Sequence, residues 1–538
     1  MKECDTRDEA TQVTTPLIGT RRNTQIWVFL FILVGFVIRL TGLQWGQGYS
    51  YFGSADSLEA YSFAVDYARG EPHALYIDQP NYNAKSKLPG PLWSLFCFVG
   101  MRSWGSIEGA ILATILLNTA VIYFTYLLAE RTLGSQSAVW AALLIATLPF
   151  PVYYSVFLYN PNVMPFLGVL LFLALWAVTQ EDRSRCIFWV CLLLLMMPQF
   201  HLSGLSLIPA VLLLIAISPA RVNLPWMVGG LLAGAFLYVP YIRGEMAHGW
   251  QNTLSMMSGK NGHWWGGLKA LTAPLNLLVN YVPQWTRNLT EYCQLGAACF
   301  GWFGAFVALN LLSALVAALL LAGIYLEIRL ASRGIWRAPR QVFSRAPGVM
   351  FLGIVTIVPL ICYLLSRQSF HSRYSIILLP PLLALAGGAA AKWVATPRFA
   401  PIFLAALTVV TCANVWFMPA MFHYQGSRIE QGEVFYGSFR KLENVYQHLK
   451  AHAGANRCVQ IDDGAYMKAL DTQDDAHGEA DLIRRYVNSR EKELITPLMS
   501  QSRPTTYTLY RAEQVTPGDP AIAYLGNGLA LVDSRSQR

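Results

Sequence analysis

Charge is scarce in this chain. Of its 538 residues only 13% are Asp, Glu, Lys or Arg, against roughly a quarter in soluble domains. With 54% hydrophobic residues, that deficit excludes an ordinary soluble protein. The formal net charge is +9, yet the basic residues form no stripe, which excludes nucleic acid as a partner. Anionic headgroups and phosphorylated lipids are the fitting counter-charges. Nine cysteines are present without a single C-x-x-C, so neither a zinc knuckle nor a redox motif is indicated. They read as small buried hydrophobes. Internal repeats and ionisable residues inside apolar segments, apart from Arg39, are also lacking, which argues against a transporter of lipid-linked glycans.

Long apolar runs are abundant. The first, Ile26 to Leu43, follows a polar cytoplasmic tail (1–25) ending near Arg21 and Arg22, and reads as an uncleaved transmembrane helix. Further segments lie at about 107–128, 136–154, 162–179, 186–201, 203–217, 224–242, 299–326, 348–366, 374–393 and 399–418, about eleven spans in all. The pair at 186–201 and 203–217 is short enough to be re-entrant, and 88–104 suits an interfacial helix. Lys and Arg crowd one set of short loops, most densely at Arg329, Arg333, Arg337, Arg340 and Arg345. The alternate loops at 154–161 and 201–203 have none, which puts the N-terminus in the cytoplasm. The loops 45–91, 243–298 and 366–374 then face outward, with a tail from 421 to 538. Tail composition is that of a small α/β domain, with helical stretches at 437–452 and 480–493 and strand-like runs at 458–461, 505–511 and 529–532. The expected fold is a mainly α, polytopic membrane domain over 26–420, followed by that α/β domain.

Polar residues gather on the outward side. In ADSLEAYSFA (55–64), Asp56 and Glu59 share a helix face. A carboxylate above the bilayer under a partly apolar loop suits a general base, while an acidic first helical turn is the bland alternative. Asn160 and Asn162 flank Pro161 in a turn or cap sequence, and their amides can also bind a substrate. Gln199, His201 and Ser203 interrupt two apolar segments, where polar groups usually line a cavity. His371, Arg373 and Tyr374 stand at the mouth of another, a set suited to a phosphate or to interfacial anchoring.

Several of these motifs together resemble GT-C-fold glycosyltransferases, the class of protein O-mannosyltransferases and bacterial lipid A aminoarabinose transferases. ADSLEAYSFA stands where those enzymes have a D-E-x-x-Y motif opening a long first outer loop. KLPGPLWSLF, AVWAALLIATLPFPVYYSVFLYNPN (138–162) and SRYSIILLPPLLAL (372–385) resemble later signatures. The resemblance covers about 25–420. It implies a bacterial inner-membrane enzyme that moves a sugar with inversion from a polyprenyl-phosphate donor to a glycan, lipid or protein acceptor. A polysaccharide polymerase or ligase is the nearest alternative. Carried over, Asp56 is the base, with Glu59 as the other candidate. Arg373, Tyr374, His371 and His201 would hold the donor phosphate, and Asn160, Asn162 and Gln199 would position acceptor or sugar. Ser57 replaces the usual second acid, and Asn160 or Asn162 the second-loop Asp. No metal ligands are therefore assigned, and a divalent cation is not favoured. The same losses would fit an inactive relative.

Overall fold

The computed structural model describes residues 21–44, 64–65, 81–83, 86–105, 107–156, 158–219, 221–257, 268–279, 303–334, 338–365, 372–430, 446–447, 459–462, 505–511, 522–526 and 529–533. Helices account for nearly all of the membrane part, as they must where lipid offers the backbone no hydrogen bonds. In order they are α1 (Arg21–Gln44), α2 (Leu92–Trp104), α3 (Glu108–Leu133), α4 (Ser135–Thr147), α5 (Pro149–Tyr154), α6 (Met164–Gln180), α7 (Ile187–Phe200) and α8 (Ile208–Ile217). There follow α9 (Leu224–Phe236), α10 (Val239–Ala247), α11 (Gln251–Met257), α12 (Ala273–Leu278), α13 (Phe303–Ala331), α14 (Pro339–Arg345), α15 (Pro347–Leu365), α16 (Leu379–Ala395) and α17 (Ala400–Glu430).

All eleven expected apolar segments are mainly helical where described. Among the described residues, seven helices are long and apolar enough to cross a membrane, or eight counting one bent pair. Three shorter apolar helical stretches, Ser135–Thr147, Ser184–Phe200 and Leu202–Ile217, account for the rest. Prolines explain most departures from the expected bounds. The run at 136–154 divides at Leu148, because Pro149 and Pro151 cannot donate into a continuing helix. The run at 224–242 bends by 48° between α9 and α10, just before Pro240. α17 continues past residue 420 to Glu430.

Arg39 closes the broken end of α4. It is 1% exposed, and its guanidinium donates to Ile145 O (3.1 Å) and Ala146 O (3.3 Å) on α4 and to Gly35 O (2.9 Å) on its own helix. The N–H that would ordinarily satisfy the Ile145 carbonyl belongs to position 149, a proline. The arginine supplies the missing donor.

The most enclosed span is Tyr374–Ala395. Its LALAGGAAA stretch presents small residues to α4, and Gly387 lies so close that any Cβ would overlap the Ser137 carbonyl and crowd Ala141. α3, α13 and α15 surround the same helix. Exposed apolar side chains such as Phe29, Leu232, Ile402 and Trp416 form the lipid-facing rim. At one end of the bundle Arg131 pairs with Glu181 (3.6 Å), Ser218 Oγ donates to Thr179 O (2.9 Å) and Arg340 Nη2 to Ala216 O (3.4 Å), which gathers the ends of α3, α6, α8 and α14.

Of the first long loop, Ala64 and Val65 are fully buried in the hydrophobic core. Its end forms a small hairpin of β1 (Asn81–Asn83) and β2 (Ser86–Lys87), against which α11 packs. In the tail, β3 (Val459–Asp462), β4 (Thr505–Arg511), β5 (Ile522–Gly526) and β6 (Leu529–Asp533) make a four-stranded sheet ordered β3-β4-β6-β5. Only the β3–β4 pair is parallel. Three strands fall on the expected runs, and β5 is an addition to them. The expected tail helices lie outside the described residues, save 446–447.

Replacing Gly387 by Leu should lower the thermal unfolding temperature of the detergent-solubilised protein sharply, since overpacking a tight seam costs about 1–3 kcal/mol or more. Leu at the lipid-facing Ile402 should change little. Equal effects at both positions would refute the seam.

Candidate functional site

Three short 3-10 turns meet at the other end of the bundle. Asn160–Val163 leads into α6, Leu202–Leu207 joins α7 to α8, and Ser372–Leu378 leads into α16. Each packs on at least one of the others. Such turns arise where prolines and polar side chains interrupt apolar helices, as they do around Pro161, Pro209 and Pro380. The backbone groups released there need partners, and polar side chains from neighbouring helices supply them.

Asn160 is part-buried, and its Nδ2 donates to Phe200 O at 3.0 Å, tying the first turn to the end of α7. It does not cap its own turn, which has no side-chain cap. Of the two bland readings for this sequence the turn is therefore seen and the cap is not. Asn162 is fully buried, and its carbonyl accepts from Asn118 Nδ2 at 2.8 Å. The same Asn118 amide also bonds Thr114 O within α3.

His201 precedes the second turn in an extended conformation. Its Nδ1 accepts the Ser203 backbone N–H at 3.1 Å and lies 2.8 Å from Ser203 Oγ. An N–H pointing at Nδ1 assigns the neutral ring's proton to Nε2. The ring leans on Tyr374 of the third turn, with centroids 5.1 Å apart and planes at 37°. Tyr363, near the end of α15, secures the pair by reaching Tyr374 O (3.0 Å) and Ser203 O (3.3 Å).

Gln199 differs from the others in that both polar atoms of its side chain lack partners among the described residues. Its side chain is completely buried, and neither Nε2 nor Oε1 has a hydrogen-bond partner among the described residues. Leaving such groups unpaired costs roughly 1–3 kcal/mol each. Gly90, at the end of the first loop, presses directly on this amide; a Cβ there would overlap it, and its φ of +132° already favours glycine.

Asn160, Gln199, His201 and Tyr374 are thus brought into one neighbourhood, with Asn162 anchoring the first turn from beneath. Arg373 has its backbone in the third turn. Asp56, Glu59, Ser57 and His371 lie outside the described residues, as does the Arg373 side chain. Sequence reasoning passed over Tyr363, Asn118 and Gly90. The usable signals were a tyrosine and an asparagine within two apolar helices, in LICYLL and ILLNTA, and a glycine between two prolines in LPGP. Among the described residues no group of three or more His, Cys, Asp or Glu side chains could hold a metal ion. Cys97, on α2, is buried, and burial pushes its thiol well above the usual range, consistent with a packing role.

No family profile matches the chain, and no curated protein matches it. Solved structures do. ArnT from Cupriavidus metallidurans bound to undecaprenyl phosphate aligns over 94% of this chain and 98% of its own, with TM-score 0.57 and 14% identity. Its apo form aligns over the same shares with TM-score 0.55 and 13% identity. The apo Archaeoglobus fulgidus oligosaccharyltransferase is more distant, at TM-score 0.44 and 11% identity, over 91% of this chain and 70% of its own. The chain therefore has the polytopic GT-C membrane fold that its sequence led us to expect.

Proposed function

We propose that this protein transfers a sugar from a polyprenyl-phosphate donor to an acceptor at the membrane surface away from its arginine-rich end. The observation that carries this reading is the meeting of three polar turns at that end, within a fold shared along nearly its whole length with ArnT. That enzyme's structure holds undecaprenyl phosphate.

The roles follow from the chemistry of each group. Asp56, or Glu59 in its place, takes the proton from the acceptor hydroxyl. The acceptor oxygen then bonds to the anomeric carbon as the bond from that carbon to the phosphate oxygen breaks. The leaving polyprenyl phosphate carries away the electron pair. A single displacement of this kind inverts the anomeric configuration. Arg373 and His371 hold the departing phosphate, and His201 adds its Nε2–H. Tyr374 supports the imidazole. Asn160, Asn162 and Gln199 position sugar and acceptor, so that the reacting atoms meet with little further loss of freedom. The N-terminus lies in the cytoplasm and the tail domain on the side of transfer.

Release of undecaprenyl phosphate from a labelled sugar donor, measured in membrane vesicles, tests the base. Asp56→Asn should lower turnover by about 10²-fold or more while leaving membrane insertion intact. Glu59→Gln should cost far less. The opposite order would transfer the role to Glu59, and full turnover in both variants would remove the proposal. Arg373→Ala should weaken binding of undecaprenyl phosphate itself, with Arg373→Lys recovering part of the loss. Unaltered binding in Arg373→Ala would take that residue out of the phosphate site.

A further inference from the structure

The unpaired amide of Gln199 points beyond the roles given above. Buried carboxamides in folded proteins almost always find partners. This one finds none among the described residues, although Asn160, His201 and Ser203 in the same neighbourhood are all hydrogen-bonded. Its cover is the backbone of Gly90, held by a bond from its own N–H to Leu88 O at 3.0 Å and flanked by Pro89 and Pro91. The cover is therefore the end of the first loop, where Gly90 abuts the amide. A carboxamide sets an acceptor beside two donors and carries no charge. Phosphate, which only accepts, uses half of that set; a sugar hydroxyl, which donates and accepts, uses both halves.

We infer that Gln199 is the sugar-recognition group of this site, its Oε1 and Nε2 paired by hydroxyls of the donor's sugar once the Gly90 segment moves aside. This assignment rests on the transferase reading and specifies which part of the donor the amide contacts. It also makes Gln199 a group whose burial costs stability in the free protein, as functional groups held under strain do.

The test uses the full chain in lipid nanodiscs, with undecaprenyl phosphate alone and undecaprenyl phosphate carrying a hexose or an aminopentose as probes. Gln199→Met keeps the length of the side chain and removes both polar groups. The wild type should bind a sugar-bearing lipid more tightly than the bare one. Gln199→Met should erase that gain, about tenfold or more, because a site built to pair a hydroxyl loses affinity once its own partner is gone. Binding of bare undecaprenyl phosphate should be unchanged, and the unfolding temperature of the free protein should rise. If Gln199→Met lowers the unfolding temperature and weakens both lipids alike, the amide is structural and the assignment falls. A sugar gain that is absent from the wild type, or that survives in Gln199→Met and Gln199→Leu, also overturns it. A wild-type protein that binds no undecaprenyl lipid overturns the transferase reading itself.

Discussion

The near-contact of two helix backbones at Gly387 and Ser137 is the constraint on which the rest depends. Helices in lipid gain nothing from hiding apolar surface from one another, because lipid tails are as apolar as leucine. They associate through close packing instead, and a glycine–alanine seam permits the closest approach. With α4 seated in that seam, α16 is fixed along its axis and in its rotation. The turn at Ser372–Leu378 extends directly from α16, so the backbone of Arg373 and the ring of Tyr374 inherit the same fixity. The geometry at the end of the bundle is thus set by residues with almost no side chain in its middle.

The turns meeting there show how the chain tolerates irregular backbone at the edge of the membrane part. Each gives up part of the regular ladder, and each recovers it from a neighbour: Asn160 for Phe200 O, Asn118 for Asn162 O, Tyr363 for the carbonyls of Ser203 and Tyr374. The polar residues of α3 and α15 that sequence reasoning treated as scaffold are what hold the irregular segments in place. Gln199 stands apart because the same accounting, over the described residues, leaves its amide unpaired.

Much of this architecture was legible in the sequence because hydropathy reports directly on helices in lipid. All eleven apolar runs are mainly helical where described, and the strand-like patterns at 505–511 and 529–532 fall in the tail sheet. Breaks inside runs were harder to read. The run at 136–154 reads as continuous because Leu, Ala and Val surround Pro149, and hydropathy does not register a missing N–H. Likewise β5, with its short IAYLG sequence, offered no alternation to mark it. At the site, His201, Gln199 and Asn160 stood out as polar interruptions between apolar stretches. Tyr363 and Asn118 did not, since each lies within an apolar helix and bonds a backbone carbonyl on another element. Gly90 carried only the weak signal of a glycine between two prolines, and its φ of +132° shows why glycine is needed there.

Arg39 imposes an order on biogenesis. Its two carbonyl partners on α4 lie more than a hundred residues further along the chain, so they emerge from the ribosome well after α1 has reached the membrane. Until they arrive, α1 carries an arginine without those acceptors, a state that costs about 2.5–3.5 kcal/mol at the centre of a bilayer and less toward its edge. The acceptors of the α1 arginine are complete only once α4 is in place, so the first span and the broken helix form one polar unit in the folded protein.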